Sequence, residues 1–264
     1  PAGDFLMGAR PEELDAYTNE SPQHRVIFSR GFWLGKYEVT QAQWQAVMGT
    51  APWAGQSRIL NDPKAPAVYI SWLDTQAFIN SLNHITAQHF RLPSEAEWEY
   101  ACRAGKETRF YWGEDPQFTA INDQAWWRGT ALNTAEPHAR PVGRKSANPW
   151  GLHDMSGNVF EWCQDWYAPY NNLTAFDPIG PEAGERRINR GGSWITIGGA
   201  CRAARRGYDP PTAAFDDLGF RLALTDPLPA ENPGAPRFTD VFVGGKEGID
   251  TYRIPSMLVA ADGA

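Results

Sequence analysis

Three carboxylates fall within the stretch Asn148 to Tyr167, NPWGLHDMSGNVFEWCQDWY: Asp154, Glu161 and Asp165. Between the first two lies Ser156-Gly157-Asn158, residues that accept turn conformations others resist. A turn that sets Asp154 and Glu161 beside free main-chain carbonyls offers a hard cation several oxygens. Trp150, Phe160, Trp162, Trp166 and Tyr167 would give that turn a rigid, dry bed. The same pattern also reads as an aromatic core cluster with solvated acids.

Nucleophilic and redox candidates are fewer. The three cysteines, Cys102, Cys163 and Cys201, cannot all pair with one another, so they make no disulfide framework. Cys163, between Trp162 and Trp166, reads as a small core residue. Ser193 could be a nucleophile, but no histidine stands near it in sequence; a hydrogen-bonding serine in a Gly-rich turn is the simpler reading. The five histidines are scattered, with no HxxxH or HExxH pair, and no phosphate-loop or dinucleotide fingerprint occurs. Glu95 and Glu97 lie two apart on an expected helix and do not face one site.

Helices with hydroxyl caps are expected to position these groups. Thr40 with Gln43, Ser71, and Ser94 with Glu97 read as N-caps of three helices. The second should turn Leu73, Ala77, Phe78 and Leu82 inward, and Gly105 should end the third. Residues 3–8 and Val68 to Ile70 read as short strands. Arg25 to Phe28 and Phe32 to Val39 read as strands paired across Ser29-Arg30-Gly31. Few regular elements among long loops give an α+β fold class. The 264 residues are enough for a sizeable core. A net charge of -7 disfavours nucleic acid or anionic membrane as the main partner. No apolar run reaches the ~20 residues that span a bilayer.

Four blocks then carry a family resemblance: Arg91 to Gly105 (RLPSEAEWEYACRAG), Asn148 to Tyr167, Arg190 to Trp194 (RGGSW) and Leu218 to Leu224 (LGFRLAL). In that order they resemble the formylglycine-generating enzyme/sulfatase-modifying factor family over residues 1–224. The resemblance implies a C-type-lectin-like fold. It also implies a calcium site drawing on Asp154, Gly157, Val159 and Glu161, with Glu161 as the buried partner of an arginine the alternative. A second site of the family would begin near Asn122. The oxidase members bind copper with two cysteines downstream of the RGGS block. Here that run is ITIGGACRAARR and holds Cys201 alone, and a lone thiolate is a poor copper(I) site. Copper and formylglycine-generating activity are therefore not expected, with that oxidase reading kept as the alternative. The family brings the blocks of Cys102 and Cys201 together, so these two are expected to touch or to form a disulfide.

The expected role is a non-oxidase domain holding a glycan or peptide in a groove built from Ser193, Trp194 and Trp126 or Trp127. Arg202, Arg205, Arg206 and Arg221 read as salt-bridged, with some available to line that groove. Residues 225–236 form a proline-rich linker. Residues 237–264 contain Thr251 to Pro255 (TYRIP), which resembles the start of a sialidase β-propeller. That resemblance gives Arg253 the role of holding a sialic acid carboxylate. It also implies an extracellular or periplasmic setting and a fused sialidase as partner.

Overall fold

The three capping signals are all realised. In the computed structural model, which describes residues 1–225 and the backbone of 259–260, Thr40, Ser71 and Ser94 each accept a hydrogen bond from the backbone N–H three residues on. Gln43, Asp74 and Glu97 each accept in return from the cap's own N–H, closing reciprocal capping boxes. These boxes start α1 (Gln41–Met48), α2 (Trp72–Thr86) and α3 (Glu95–Arg103). A one-turn helix, α4 (Ile121–Gln124), follows in the long loop region. Ala104, rather than Gly105, makes the left-handed cap of α3.

Among the described residues, eleven short strands build three small sheets. β1 (Gly3–Met7) pairs antiparallel with β2 (His24–Phe28), with Gly3 opposite Phe28. β3 (Phe32–Leu34) does not return on β2 as a hairpin; it pairs with the distant β10 (Ala223–Thr225), and β4 (Phe90–Arg91) lies on β10's other side. The third sheet centres on β5 (Phe160–Trp166). β6 (Ala175–Phe176) leaves to join β2, while β7 (Arg187–Arg190) runs antiparallel to β5. β8 (Arg206–Asp209) extends the β7 edge and β9 (Leu218–Gly219) lies parallel to β5. β10 (Ala223–Thr225) and β11 (Val259–Ala260) complete the second sheet. Val68 to Ile70 is not a strand; Tyr69 instead donates its N–H to the Phe215 carbonyl.

Aromatic packing fills the interior. Trp44 stacks on Phe78 at 5.3 Å, and Phe220 meets both edge-on. That cluster draws Phe78 and Leu82 from α2, whereas Leu73 points outward and is 52% exposed. Every residue of α3 is buried, its charges included. Such burial is tolerated only with partners. Arg91 clasps Glu97, Arg206 clasps Glu95, and Arg103 and Arg190 share Glu99. The result is an α+β fold in which arginines clasp the buried carboxylates of α3.

Candidate functional site

The turn that precedes β5 has the backbone its sequence promised. Asp154, Gly157 and Asn158 all lie at positive φ, 57°, 81° and 60°. A side chain at Gly157 would meet the Trp126 carbonyl oxygen at 2.2 Å, so only glycine fits there. Gly143 donates its N–H to Asp154 Oδ2 at 2.6 Å. Asn158 spans the turn, accepting from the Arg140 N–H and donating to Glu38 Oε1 at 3.0 Å.

Glu161 accepts three hydrogen bonds. Its two oxygens accept from Arg221 Nε and Nη2 at 2.5 Å each, and Oε2 also accepts from Trp98 Nε1 at 2.7 Å. Glu161 thus makes the buried arginine partnership that the sequence left open. Two nearby carboxylates are not so fully matched. Asp154 Oδ1 and Glu38 Oε2 are buried and have no hydrogen-bond partner. Burial pushes the Glu38 carboxyl well above the ordinary range, with Asp154 and Glu161 adding repulsion. Burial likewise lifts Asp154 to about 6. The orphaned Asp154 Oδ1 is a hard oxygen of the kind calcium takes, while among the described residues no three His, Cys, Asp or Glu side chains gather to hold a metal. Glu161 is held by a guanidinium and an indole, with Oε1 accepting one hydrogen bond and Oε2 two. Asn122, where a second site would begin, gives its Oδ1 to Trp127 Nε1 and its carbonyl to Lys145.

Beside β5, lined by Phe160 and Tyr167, opens a cavity of about 570 Å³. Phe160, Tyr167, Tyr208 and Phe215 supply aromatic walls, with the Tyr167 and Tyr208 rings 4.2 Å apart. Asp217, Asp209 and Asn189 supply polar groups. Asn189 Nδ2 donates to Asp209 Oδ2, and Ser193 Oγ donates to Asp217 Oδ2 at 2.7 Å. Burial raises Asp217 to about 6, despite the Ser193 hydrogen bond. Arg205 lies over the Tyr17 ring at 4.2 Å and has no ion pair among the described residues. Its neighbours differ: Arg202 pairs with Glu13 and Glu20, and Arg206 with Glu95. Aromatic faces with a few convergent polar groups suit a ligand with both apolar and hydrogen-bonding surface.

The expected groove residues fall elsewhere. Trp194 is 0% exposed and donates Nε1 to the Asp216 carbonyl, so it is core and not a groove wall. Ser193 is equally buried and touches the cavity only through Asp217. Trp126 lies beneath Lys145 at 3.9 Å, and Trp127 packs with Phe118 in a separate small cluster; neither lines the cavity. Sequence reasoning missed Asp217, Asp209 and Tyr208. The available signal for Asp217 was its place immediately before the LGFRLAL block.

The cysteines do not meet. All three are free and buried, and Cys102 and Cys201 sit in different apolar clusters, so neither contact nor disulfide joins them. Cys102 Sγ points to the Met155 carbonyl, and Cys201 Sγ lies 3.8 Å from Thr196 Oγ1. Burial pushes both thiols up to about 12. A single, protonated, enclosed thiol does not fit copper(I), which asks for soft anionic ligands. Thr225, expected to begin the linker, instead ends β10; Arg253, residues 226–236 and the side chains of 259–260 lie outside the described residues.

Comparison with known proteins sets this geometry in context. Residues 1–226 match the sulfatase-modifying factor enzyme 1-like domain. The chain is 36% identical to the formylglycine-generating enzyme of Streptomyces coelicolor, over 84% of this chain and 87% of that protein. It is 29% identical to the Mus musculus formylglycine-generating enzyme, over 87% and 74%. Among solved structures it resembles Treponema denticola variable protein 1 (TM-score 0.73, 28% identity, covering 85% of this chain and 93% of that one). It resembles PvdO from Pseudomonas aeruginosa equally (TM-score 0.73, 28% identity, 85% and 92%). With this match over residues 1–226, the chain belongs to the sulfatase-modifying factor family.

Proposed function

We propose that residues 1–224 form a non-oxidase member of the family that binds a glycan or peptide in the cavity beside β5. The observation that carries this is the pairing of an aromatic, polar-lined cavity with one buried thiol where the oxidases use two. Tyr167, Tyr208 and Phe160 offer ring faces to a sugar or an apolar side chain, and Asp217 and Asp209 accept its hydroxyls or amides. Screening the purified protein and its Tyr208→Ala variant on glycan and mucin-peptide arrays tests this. Hits lost in the variant support the cavity; the absence of any hit sinks the reading.

The motif TYRIP extends the proposal: the domain serves as an accessory to a sialidase that starts near residue 237, in a secreted or periplasmic protein. The proposal also includes a structural calcium ion held by Asp154 Oδ1 and carbonyls of its turn. The 36% identity to a formylglycine-generating enzyme favours a second reading, an oxidase acting on a sulfatase cysteine. Copper-dependent conversion of a cysteine-containing sulfatase peptide would establish it.

A further inference from the structure

Two arginines line the cavity beside β5, and they are matched very differently. Arg206 spends Nε and Nη2 on Glu95 and gives Nη1 to the Asn19 carbonyl. Arg205 gives Nη1 to the Arg206 carbonyl, has a buried Nε with no hydrogen-bond partner, and forms no ion pair among the described residues. Glu20, a carboxylate whose field reaches Arg205, is held by Arg202 at 2.8 Å. Burial makes the Arg205 charge more costly. Its half-buried guanidinium lies 4.2 Å over the ring of Tyr17, another residue of the cavity wall. That stack positions the cation without neutralising it.

The rest of the lining favours a sugar over a peptide. Asp209 and Asp217 each accept a side-chain hydrogen bond, from Asn189 and Ser193, which leaves acceptor capacity for a ligand's hydroxyls. A peptide's carbonyls would call for donors instead, and the Asn189 amide is already turned to Asp209. Tyr208 carries a second guanidinium, the exposed Arg186, 5.4 Å over its ring. We propose that the cavity takes an acidic glycan, a sugar whose carboxylate or sulfate ester pairs with Arg205 while its ring packs on the tyrosines. A guanidinium presents a fork of N–H donors that suits such oxyanions. This rests on the cavity reading above and narrows its ligand from any glycan or peptide to a negatively charged sugar.

The whole chain is applied to an array that carries each glycan in paired forms, uronic acid beside its methyl ester and sulfated beside desulfated, together with neutral sugars and acidic peptides. Wild type is expected to hold the charged member of a pair at least about tenfold more tightly than its neutral partner, as a charge-assisted hydrogen bond implies. Which kind of pair shows the difference tells a carboxylate from a sulfate. Arg205→Gln should lose that preference and keep a melting temperature near wild type. Arg205→Lys, which keeps the charge without the fork, should retain part of it. The paired forms decide the matter on wild type alone, whether or not a variant folds. Charged and neutral members binding alike, or a preference that survives Arg205→Gln, would overturn the anion assignment. If Tyr208→Ala still abolished capture in that case, the cavity reading would stand. Capture of acidic peptides without any glycan overturns the choice of a sugar, and if nothing binds, both readings fall.

Discussion

Ser193 donates a 2.7 Å hydrogen bond to Asp217, and this buried pair joins the RGGSW turn to the segment that enters β9. A neutral hydroxyl cannot offset the desolvation of a carboxylate, and so Asp217 stays at about 6 against an ordinary 3.8. The folded state therefore binds this proton more tightly than the unfolded chain. Its stabilising contribution is complete below about pH 4 and is lost as pH rises through 6. Relative to Asp217→Asn, wild type should lose up to about 3 kcal/mol of stability between pH 4 and pH 7. Urea midpoints of the two proteins at both pH values check this; a constant difference would contradict it.

Glu161 and Arg221 should behave as a unit of the fold. Both side chains are 0% exposed. Removing one partner leaves the other charged and buried, at a cost of about 3–5 kcal/mol. Chemical denaturation of Glu161→Ala measures this. A loss below about 1 kcal/mol would mean the pair is not a structural clasp.

Trp194 and Tyr208 should separate packing from binding. Trp194→Ala empties a fully enclosed site and is expected to cost about 3–5 kcal/mol. Tyr208→Ala, at the cavity wall, should leave the melting temperature far closer to wild type while removing ligand capture. Comparable destabilisation by both would return Tyr208 to the core.

The thiols are expected to be silent in the native protein. With all three enclosed, and Cys102 and Cys201 at about 12, a thiol reagent such as Ellman's should label none within minutes and three in denaturant. Rapid native labelling of one cysteine would reveal a reactive site. Cys201→Ser is expected to shift stability and leave ligand binding unchanged.

The local grammar was the most legible part of the chain. Thr40, Ser71 and Ser94 announce their helices because a cap is decided within four residues. The turn at Ser156-Gly157-Asn158 was equally readable, since positive φ is written in the residue types. Sheet pairing was not: β3's partner, β10, stands nearly two hundred positions away, and alternation alone suggested a hairpin with β2. The cavity was hidden for a similar reason. Trp194 drew notice as a large aromatic beside a Gly-rich turn, yet its indole is satisfied by a backbone carbonyl at Asp216 and turns inward. Asp217 drew none, although the fold sets it between Ser193 and open space. Glu161's arginine partner was among the readings left open, and the geometry identifies that partner as Arg221.

The central claim, that this domain binds without oxidising, meets its most direct test in one assay. The purified chain, loaded with copper(I) under reducing conditions and air, is incubated with a cysteine-containing sulfatase peptide, and the product is weighed by mass spectrometry. The account predicts an unmodified cysteine, identical for wild type and Cys201→Ser. Conversion to formylglycine by wild type, abolished in Cys201→Ser, would contradict it.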